Sequence, residues 1–349
     1  MRPLRIGING LGRIGRTVVR SALERRAAAS WGGTTRPGPD LEIVAANDRL
    51  DLRALAYLLE HDSVHGRARH PVTVEDGCLR MGDFSLRMFS ESDPQNIPWS
   101  QAGVDVVFEC TGAFGLRREL ERHLSEAPKV ILGAPGESDA MIVVGVNESS
   151  LPPSARVISA ASCTTHAVAP VLSVLDRAFK IRWALMGTVH AYTAGQSLID
   201  APAPGRDLRR GRAAGLNIVP TTTHATRAIV HVLPQLAGKL AGNSTRVPVP
   251  DVSMYDLTVT LDQSVDLPRV LEVLQDAART PSLQGVLDVR DQPLVSSDLV
   301  GETHSSVVDV GACMASGPLL RVSGWYDNES GYAARLLDLA ALASSEVAP

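Results

Sequence analysis

The sequence predicts an α/β protein: a doubly wound parallel sheet, followed by an α+β domain with a large, mostly antiparallel sheet. Three observations predict it. Up to about residue 155, short apolar runs alternate with helical patterns, the texture of strand–helix–strand units. Beyond that point the β patterns lengthen and few helices separate them. Finally, a chain of 349 residues exceeds one ordinary core, at roughly 150 residues per domain.

The elements follow in order. Leu4 to Ile8 is a short apolar run. "NGLGRIGRTVVRSALERR" then takes helical spacing, with Ile14, Val18, Val19 and Leu23 on one face. Residues 27–40 read as a loop from their Gly, Pro and Thr content. "LEIVAAND" is a second strand and "LDLRALAYLLEHD" a helix. Further strands are expected at "VDVVFECTGAF", "KVILGAP" and "MIVVGVN". In the second half, "ALMGTVHAYTA", "STRVPVPDVSMYDLTVTL" and "THSSVVDVGACMASGPLLRVSGWYDN" are long β patterns, with helices at 164–178 and 268–279. "ESGYAARLLDLAALASSEV" closes the chain as a helix. Aromatic residues are 4% of the chain, so Val, Leu, Ile and Ala must fill the cores.

Composition excludes several functions. The net charge is −4 and no Lys/Arg run marks a nucleic-acid surface. The densest basic cluster, residues 206–212, suits a phosphorylated small molecule or an ion-pair network better than a polymer. No apolar run reaches the ~18 residues of a membrane span, and the N-terminus lacks a signal-peptide pattern. Cys78, Cys110, Cys163 and Cys313 are far apart, with no zinc spacing. Free thiols in a reducing cytosol and no metal are therefore expected.

Two features carry chemistry. Gly10-Leu11-Gly12-Arg13-Ile14-Gly15 matches G-x-G-x-x-G. It follows a strand ending near Asn9 and opens a helix, the context of a Rossmann-type dinucleotide site. Glycines there let the backbone approach a pyrophosphate at a helix N-terminus. Asp48, ending the second strand, is placed to bind a ribose diol. Its charge repels a 2′-phosphate and favours NAD over NADP, while neighbouring Arg49 pulls the other way.

The second feature is "SAASCTTHAVAP". Cys163 sits where a helix should start, among the capping residues Ser162, Thr164 and Thr165. A helix N-terminus favours the thiolate. Two histidines compete as its partner: His166, three positions on, and His190, at the end of a β pattern. The residues alone do not choose between them.

From residue 4 to 340 the chain resembles the phosphorylating glyceraldehyde-3-phosphate dehydrogenase family. "IGINGLGRIGR", "SCTT", "TVHAYT", "DLRRGRAAGLNIVPTTT", "GKLAGNSTRVPVPDVSMYDLTV" and "SGWYDNESGY" carry the resemblance, in this order. It implies a cofactor domain over 1–162, joined by a last helix over 328–349, and a catalytic domain over 163–327. It implies a glycolytic, cytoplasmic homotetramer in which segment 194–218 reaches a neighbouring subunit. Glyceraldehyde 3-phosphate would be oxidised with NAD and phosphorylated to 1,3-bisphosphoglycerate through a thioester on Cys163.

By the same resemblance His190 is the base, and Thr193 and Arg246 hold the substrate's phosphate. Ser162, Thr164, Arg210 and Thr223 surround the phosphate sites, with His224 beside the attacking phosphate. Arg13, Ile14 and Asp48 match cofactor contacts, joined by Asn9, Gly10, Gly12, Gly15, Asn47, Thr111, Gly112, Asn328 and Tyr332. Asn328 would orient the nicotinamide amide.

The chain also departs from the family's pattern. His166 and Ala167 stand for the usual Asn and Cys, Ala160 for Asn, His224 for Gly and Val249 for Thr. These edits suggest a specialised paralogue, one that resists a cysteine-directed inhibitor or takes a related aldehyde such as erythrose 4-phosphate. Outside the family, a Cys163–His166 acyl transferase or hydrolase and a silent NAD-sensing protein are the rival readings.

Overall fold

Strand Leu4–Asn9 lies inside its sheet, paired in parallel with Leu41–Asn47 on one side and Val106–Glu109 on the other. In this computed structural model, residues 2–30, 40–203 and 207–344 are described. They divide into two compact units: 1–142, 147–161 and 333–349, and 143–146 with 162–332.

In the first unit, the sheet order is Ala140–Met141, Val157–Ser159, Lys129–Leu132, Val106–Glu109, Leu4–Asn9, Leu41–Asn47, Phe84–Phe89, Cys78–Met81, Val72–Glu75. Pairing is parallel as far as Phe84–Phe89 and antiparallel over the last two strands. Ile6, Ile8, Val107, Phe108, Val130 and Ile131 are fully buried, as strands covered on both faces require. Each such side chain contributes about 1.5–3 kcal/mol. Helix Leu52–Glu60 starts at Asp51, whose carboxylate accepts from the N–H groups of Arg53 and Ala54, a cap worth about 1 kcal/mol. The final helix, Ser330–Ser344, enters this unit at Ala333. Arg25 donates to Asp338 (2.8 Å) and to the Ala334 carbonyl (2.9 Å), and Lys129 Nζ to the Ala343 carbonyl (2.6 Å).

Two expectations are corrected here. The first helix runs Arg13–Ser30, so residues 27–30 of the expected loop are helical. Ala27, Ala28 and Ala29 are the strongest helix formers. Residues 31–39 of that loop, Arg206 and the tail 345–349 lie outside the described residues. "MIVVGVN" is strand only at Met141, paired together with Ala140. Ile142, Val143 and Val144 are buried past the strand's end, where the Ile142 N–H still bonds the Ser159 carbonyl (2.9 Å), and Gly145 turns the chain at a φ of 87°.

The second unit's sheet runs Val219–Thr221, Leu240–Val247, Ile181–Ala191, Ser253–Leu261, Leu319–Tyr326, Ser306–Asp309, Leu287–Arg290. It is mostly antiparallel; Ile181–Ala191 with Leu240–Val247, and Leu287–Arg290 with Ser306–Asp309, are parallel. Strand Ser253–Leu261 alternates buried and half-buried residues, the mark of a sheet covered on one face. Helix Cys163–Phe179 packs on this sheet, with helices Ala225–Val232 and Leu267–Ala278 against it. The opposite face leaves Trp183, Leu185 and Val189 exposed.

Candidate active site

The glycine-turn side is built from backbone. Asn9, Asn47 and Glu109 are in register at the ends of three neighbouring parallel strands. A cleft of about 470 Å³ opens there, lined by Asn9, Gly10, Gly12, Asn47, Asp48 and Thr111, with Arg49, Glu91 and Phe114 among the other walls. Gly10 has a φ of 94°, and a Cβ on it would lie 2.8 Å from the Thr111 nitrogen. At Gly15 a Cβ would sit 2.1 Å from the Gly10 carbonyl oxygen. These two positions admit no side chain. A Cβ on Gly12 or on Gly112 would meet nothing within 4 Å, so the protein itself leaves that space free. Asp48 accepts from the N–H groups of Leu11 (2.8 Å) and Leu50 (3.0 Å); it braces the glycine turn and keeps lone pairs for a diol. Arg13 turns to Asp62 (2.6 Å) and, like Ile14, Gly15 and Gly112, is not among the walls of the cleft.

Beneath the cleft lies a group that sequence reasoning missed. Buried Glu109 accepts from Asn9 Nδ2 (2.6 Å), from the Thr111 N–H (2.8 Å) and from the Thr111 hydroxyl. His123 Nε2 stands 3.2 Å away. Trp99 Nε1 donates to His123 Nδ1 (3.1 Å), which leaves the ring proton on Nε2, facing Glu109. Asn47 Nδ2 donates to Asn9 Oδ1 (2.8 Å) and completes the network. An acid inside the apolar run "VDVVFE" was the available signal, since a buried carboxylate needs donors around it.

The Cys163 side is built from side chains. Ser162 caps helix Cys163–Phe179: its hydroxyl accepts from the Thr165 N–H (3.1 Å). Cys163 thus opens the helix, partly exposed. Its Sγ lies 3.7 Å from His190 Nε2. Thr164 Oγ1 is 3.0 Å from the Tyr326 hydroxyl, and the Tyr326 ring meets His190 edge-on at 5.8 Å.

His190 sits near the end of strand Ile181–Ala191 and is register partner of Arg246 on strand Leu240–Val247. Arg246 Nη1 reaches His190 Nδ1 at 2.7 Å and the Ala191 carbonyl at 2.8 Å. Burial first, and the Arg246 charge second, push His190 down to about 3. The ring is therefore neutral at physiological pH. Burial pushes the Cys163 thiol up, against the pull of Arg246 and Thr164. Burial also lowers Arg246, opposed by Cys163 and Tyr326 and joined by the charge of Arg210.

His166 is placed differently. Its Nδ1 lies 3.3 Å from the Ser162 carbonyl, its Nε2 accepts from the Val144 N–H (3.4 Å), and its ring meets Tyr332 edge-on at 5.8 Å. The structure thus brings His190, and not His166, to the sulfur. Asn328 Oδ1 accepts from Ser253 Oγ (2.7 Å), which also accepts from the Ala191 N–H (3.1 Å). Thr193 is exposed beside Gln196, whose side-chain oxygen accepts its N–H (3.3 Å). Thr223 Oγ1 takes the Ala225 N–H (3.1 Å), while exposed His224 holds the N-cap position of helix Ala225–Val232 with no side-chain bond to it. Its φ of −88° suits any residue. Burial raises Cys110 and Cys313, and all four cysteines are free thiols.

Fold and geometry define a class: a dinucleotide-binding α/β enzyme whose second unit carries a cysteine–histidine pair beside an arginine. Residues 4–117 match the family model of the glyceraldehyde 3-phosphate dehydrogenase NAD binding domain, and residues 162–328 that of its C-terminal domain. Glyceraldehyde-3-phosphate dehydrogenase 2 of Streptomyces arenae is 46% identical over 99% of both chains. The Geobacillus stearothermophilus enzyme of that name is 44% identical over 98% of this chain and 99% of its own. Glyceraldehyde-3-phosphate dehydrogenase 1 of Bacillus subtilis is 43% identical over 97% of each. The chain belongs to the glyceraldehyde-3-phosphate dehydrogenase family.

Proposed function

We propose that this enzyme oxidises glyceraldehyde 3-phosphate with NAD and inorganic phosphate, releasing 1,3-bisphosphoglycerate. The observation that carries the reading is Cys163 3.7 Å from a neutral His190 at a capped helix start, in a chain of this family. Cys163 Sγ adds to the aldehyde carbon as its thiol proton passes to the aldehyde oxygen, which forms a hemithioacetal. His190 Nε2 takes the hemithioacetal hydroxyl proton as the carbonyl reforms. Bound NAD supplies the hydride acceptor for that oxidation. A phosphate oxygen then adds to the thioester carbonyl, the Cys163 thiolate leaves, and the acyl phosphate departs. The Cys163 N–H and His190 steady the oxyanion.

In this reading the first unit holds the cofactor. Gly12 and Gly112 leave room for its pyrophosphate beside the tight turn that Gly10 and Gly15 make possible, Asp48 takes its ribose diol, and Asn9, Asn47 and Thr111 line the cleft. Arg13 and Ile14 support the turn, while Asn328 and Tyr332 keep their expected cofactor roles. Arg246 and Thr193 take the substrate's phosphate; Ser162, Thr164, Arg210, Thr223 and His224 serve the attacking phosphate. A homotetramer in the cytoplasm is part of the proposal. Leu198, Ile199, Leu208, Leu216 and Ile218 are exposed in segment 194–218, and Trp183, Leu185 and Val189 on the open sheet face, surfaces that favour burial against further copies. Four free thiols support a reducing compartment. Among the described residues, no helix is long and apolar enough to cross a membrane.

A steady-state assay tests the proposal. Sustained NADH turnover should require aldehyde, NAD and phosphate together, because without phosphate the thioester holds each site at a single turnover; reduced, purified protein that makes no NADH overturns it. For the specialised-paralogue reading, His224→Gly should change the apparent affinity for phosphate, and an unchanged value removes that idea.

A further inference from the structure

A guanidinium has donors only, and a neutral imidazole carries one proton on one of two nitrogens. These two facts constrain His190. His190 Nδ1 lies between Arg246 Nη1 at 2.7 Å, from which it can only accept, and the Ala191 carbonyl at 2.8 Å, to which it can only donate; with the guanidinium donating to it, Nδ1 is bare and the ring proton sits on Nε2. That N–H faces Cys163 Sγ at 3.7 Å. In this state Nε2 has no lone pair for a proton, and the depressed basicity of the ring blocks a second one. The base is disarmed.

The alternative state is already built. The Ala191 carbonyl takes Nη1 of Arg246 at 2.8 Å and lies equally 2.8 Å from Nδ1. Were Arg246 drawn away, this buried carbonyl would lose one donor and gain the Nδ1 proton with no movement of the ring. Nε2 would then be bare and aimed at the sulfur. Arg246 is also only half used where it rests: its Nε is buried without an acceptor, and Arg210 adds like charge nearby. A phosphate dianion would satisfy both guanidiniums far better than an imidazole does.

We infer that Arg246 is a latch on the base: it holds His190 in the Nε2–H form until the substrate's phosphate claims the guanidinium, whereupon the ring proton moves to Nδ1 and Nε2 becomes the acceptor that the reaction needs. This rests on the reading that Arg246 takes the substrate's phosphate. The exchange is charge-neutral: one proton leaves Nε2 to water and one arrives at Nδ1 from water. The phosphate thus acts on the chemical step as well as on binding.

The test uses glyceraldehyde, which lacks the phosphate, in single-turnover NADH bursts without inorganic phosphate. Arg246→Leu should slow the burst with glyceraldehyde 3-phosphate on the order of a hundredfold. With glyceraldehyde the same variant should be faster than the wild type, by about tenfold, because the latch is gone. A glyceraldehyde burst unchanged or slowed overturns the latch. Nitrogen NMR of labelled histidine in the wild-type protein gives a second readout. His190 should report Nε2–H alone and Nδ1–H with glycerol 3-phosphate; one tautomer throughout overturns the proposal even where the variant does not fold. Wild-type protein inert toward glyceraldehyde 3-phosphate would instead sink the proposed function, and the NMR titration would still decide the latch.

Discussion

The two sites are assembled on opposite principles. At the cleft of the first unit, strand ends, glycine turns and a buried carboxylate surrounded by donors fix every group before a ligand arrives. At Cys163, a thiol, an imidazole and a guanidinium share too few partners, and Arg246 Nε has none. The first site is a finished mould; the second is held short of completion. A mould is broken by adding atoms, and a poised site by removing them. Four substitutions sharpen this contrast.

The largest effect is expected at the sulfur. Cys163→Ser should cut turnover by about 10⁴-fold or more while thermal unfolding moves little, since Ser162 still caps the helix. Retained turnover would defeat the thioester route. His190→Asn should lower kcat by about 10²–10⁴-fold. It should also change acid stability. His190 ordinarily titrates near 6.5 and here near 3, so between these values the unfolded chain binds a proton that the folded chain refuses. Stability from this residue is complete above about 6.5 and is lost as pH falls toward 3. Denaturant melts of His190→Asn should show a shallower pH slope in that window, and an equal slope would contradict a buried neutral ring.

Next comes the mould. Gly15→Ala puts a Cβ 2.1 Å from the Gly10 oxygen, so the turn must shift. NAD affinity by calorimetry should fall by tenfold or more and stability by about 1–3 kcal/mol. Wild-type affinity in this variant would show that the turn is not needed. The smallest effect belongs to His166→Ala, which loses its bonds to the Ser162 carbonyl (3.3 Å) and the Val144 N–H (3.4 Å) and an edge contact on Tyr332. About 1 kcal/mol of stability and less than a tenfold change in kcat are expected; a loss as large as that of His190→Asn would restore His166 as the base.

Much of the cofactor side was legible in the sequence because its determinants are local. Gly10 to Gly15 and the strand before them are contiguous, and so is the cap at Ser162. The choice between His166 and His190 was not local. It depends on strand Ile181–Ala191 presenting a residue 27 positions away from Cys163, and on a parallel pairing that sets Arg246 beside His190. Spacing along one helix made His166 look near, whereas its ring turns to the Ser162 carbonyl and Val144. The hairpins over 72–89 escaped because their strands are short and carry charges among the apolar residues. "MIVVGVN" misled because a buried apolar run in a turn carries the same hydrophobicity as one in a ladder.

The indole beneath the cleft gives the molecule an optical reporter. Trp99 is fully buried with its N–H bonded to His123, whereas Trp183 stands in solvent on the open sheet face and Trp325 is half-covered. Emission from these three of the chain's four tryptophans should therefore separate by colour, with the bluest component arising three hydrogen bonds from Asn9 and Thr111, which line the cleft. Shifts in that component would track the tightening of that cleft in the native protein, with no dye attached.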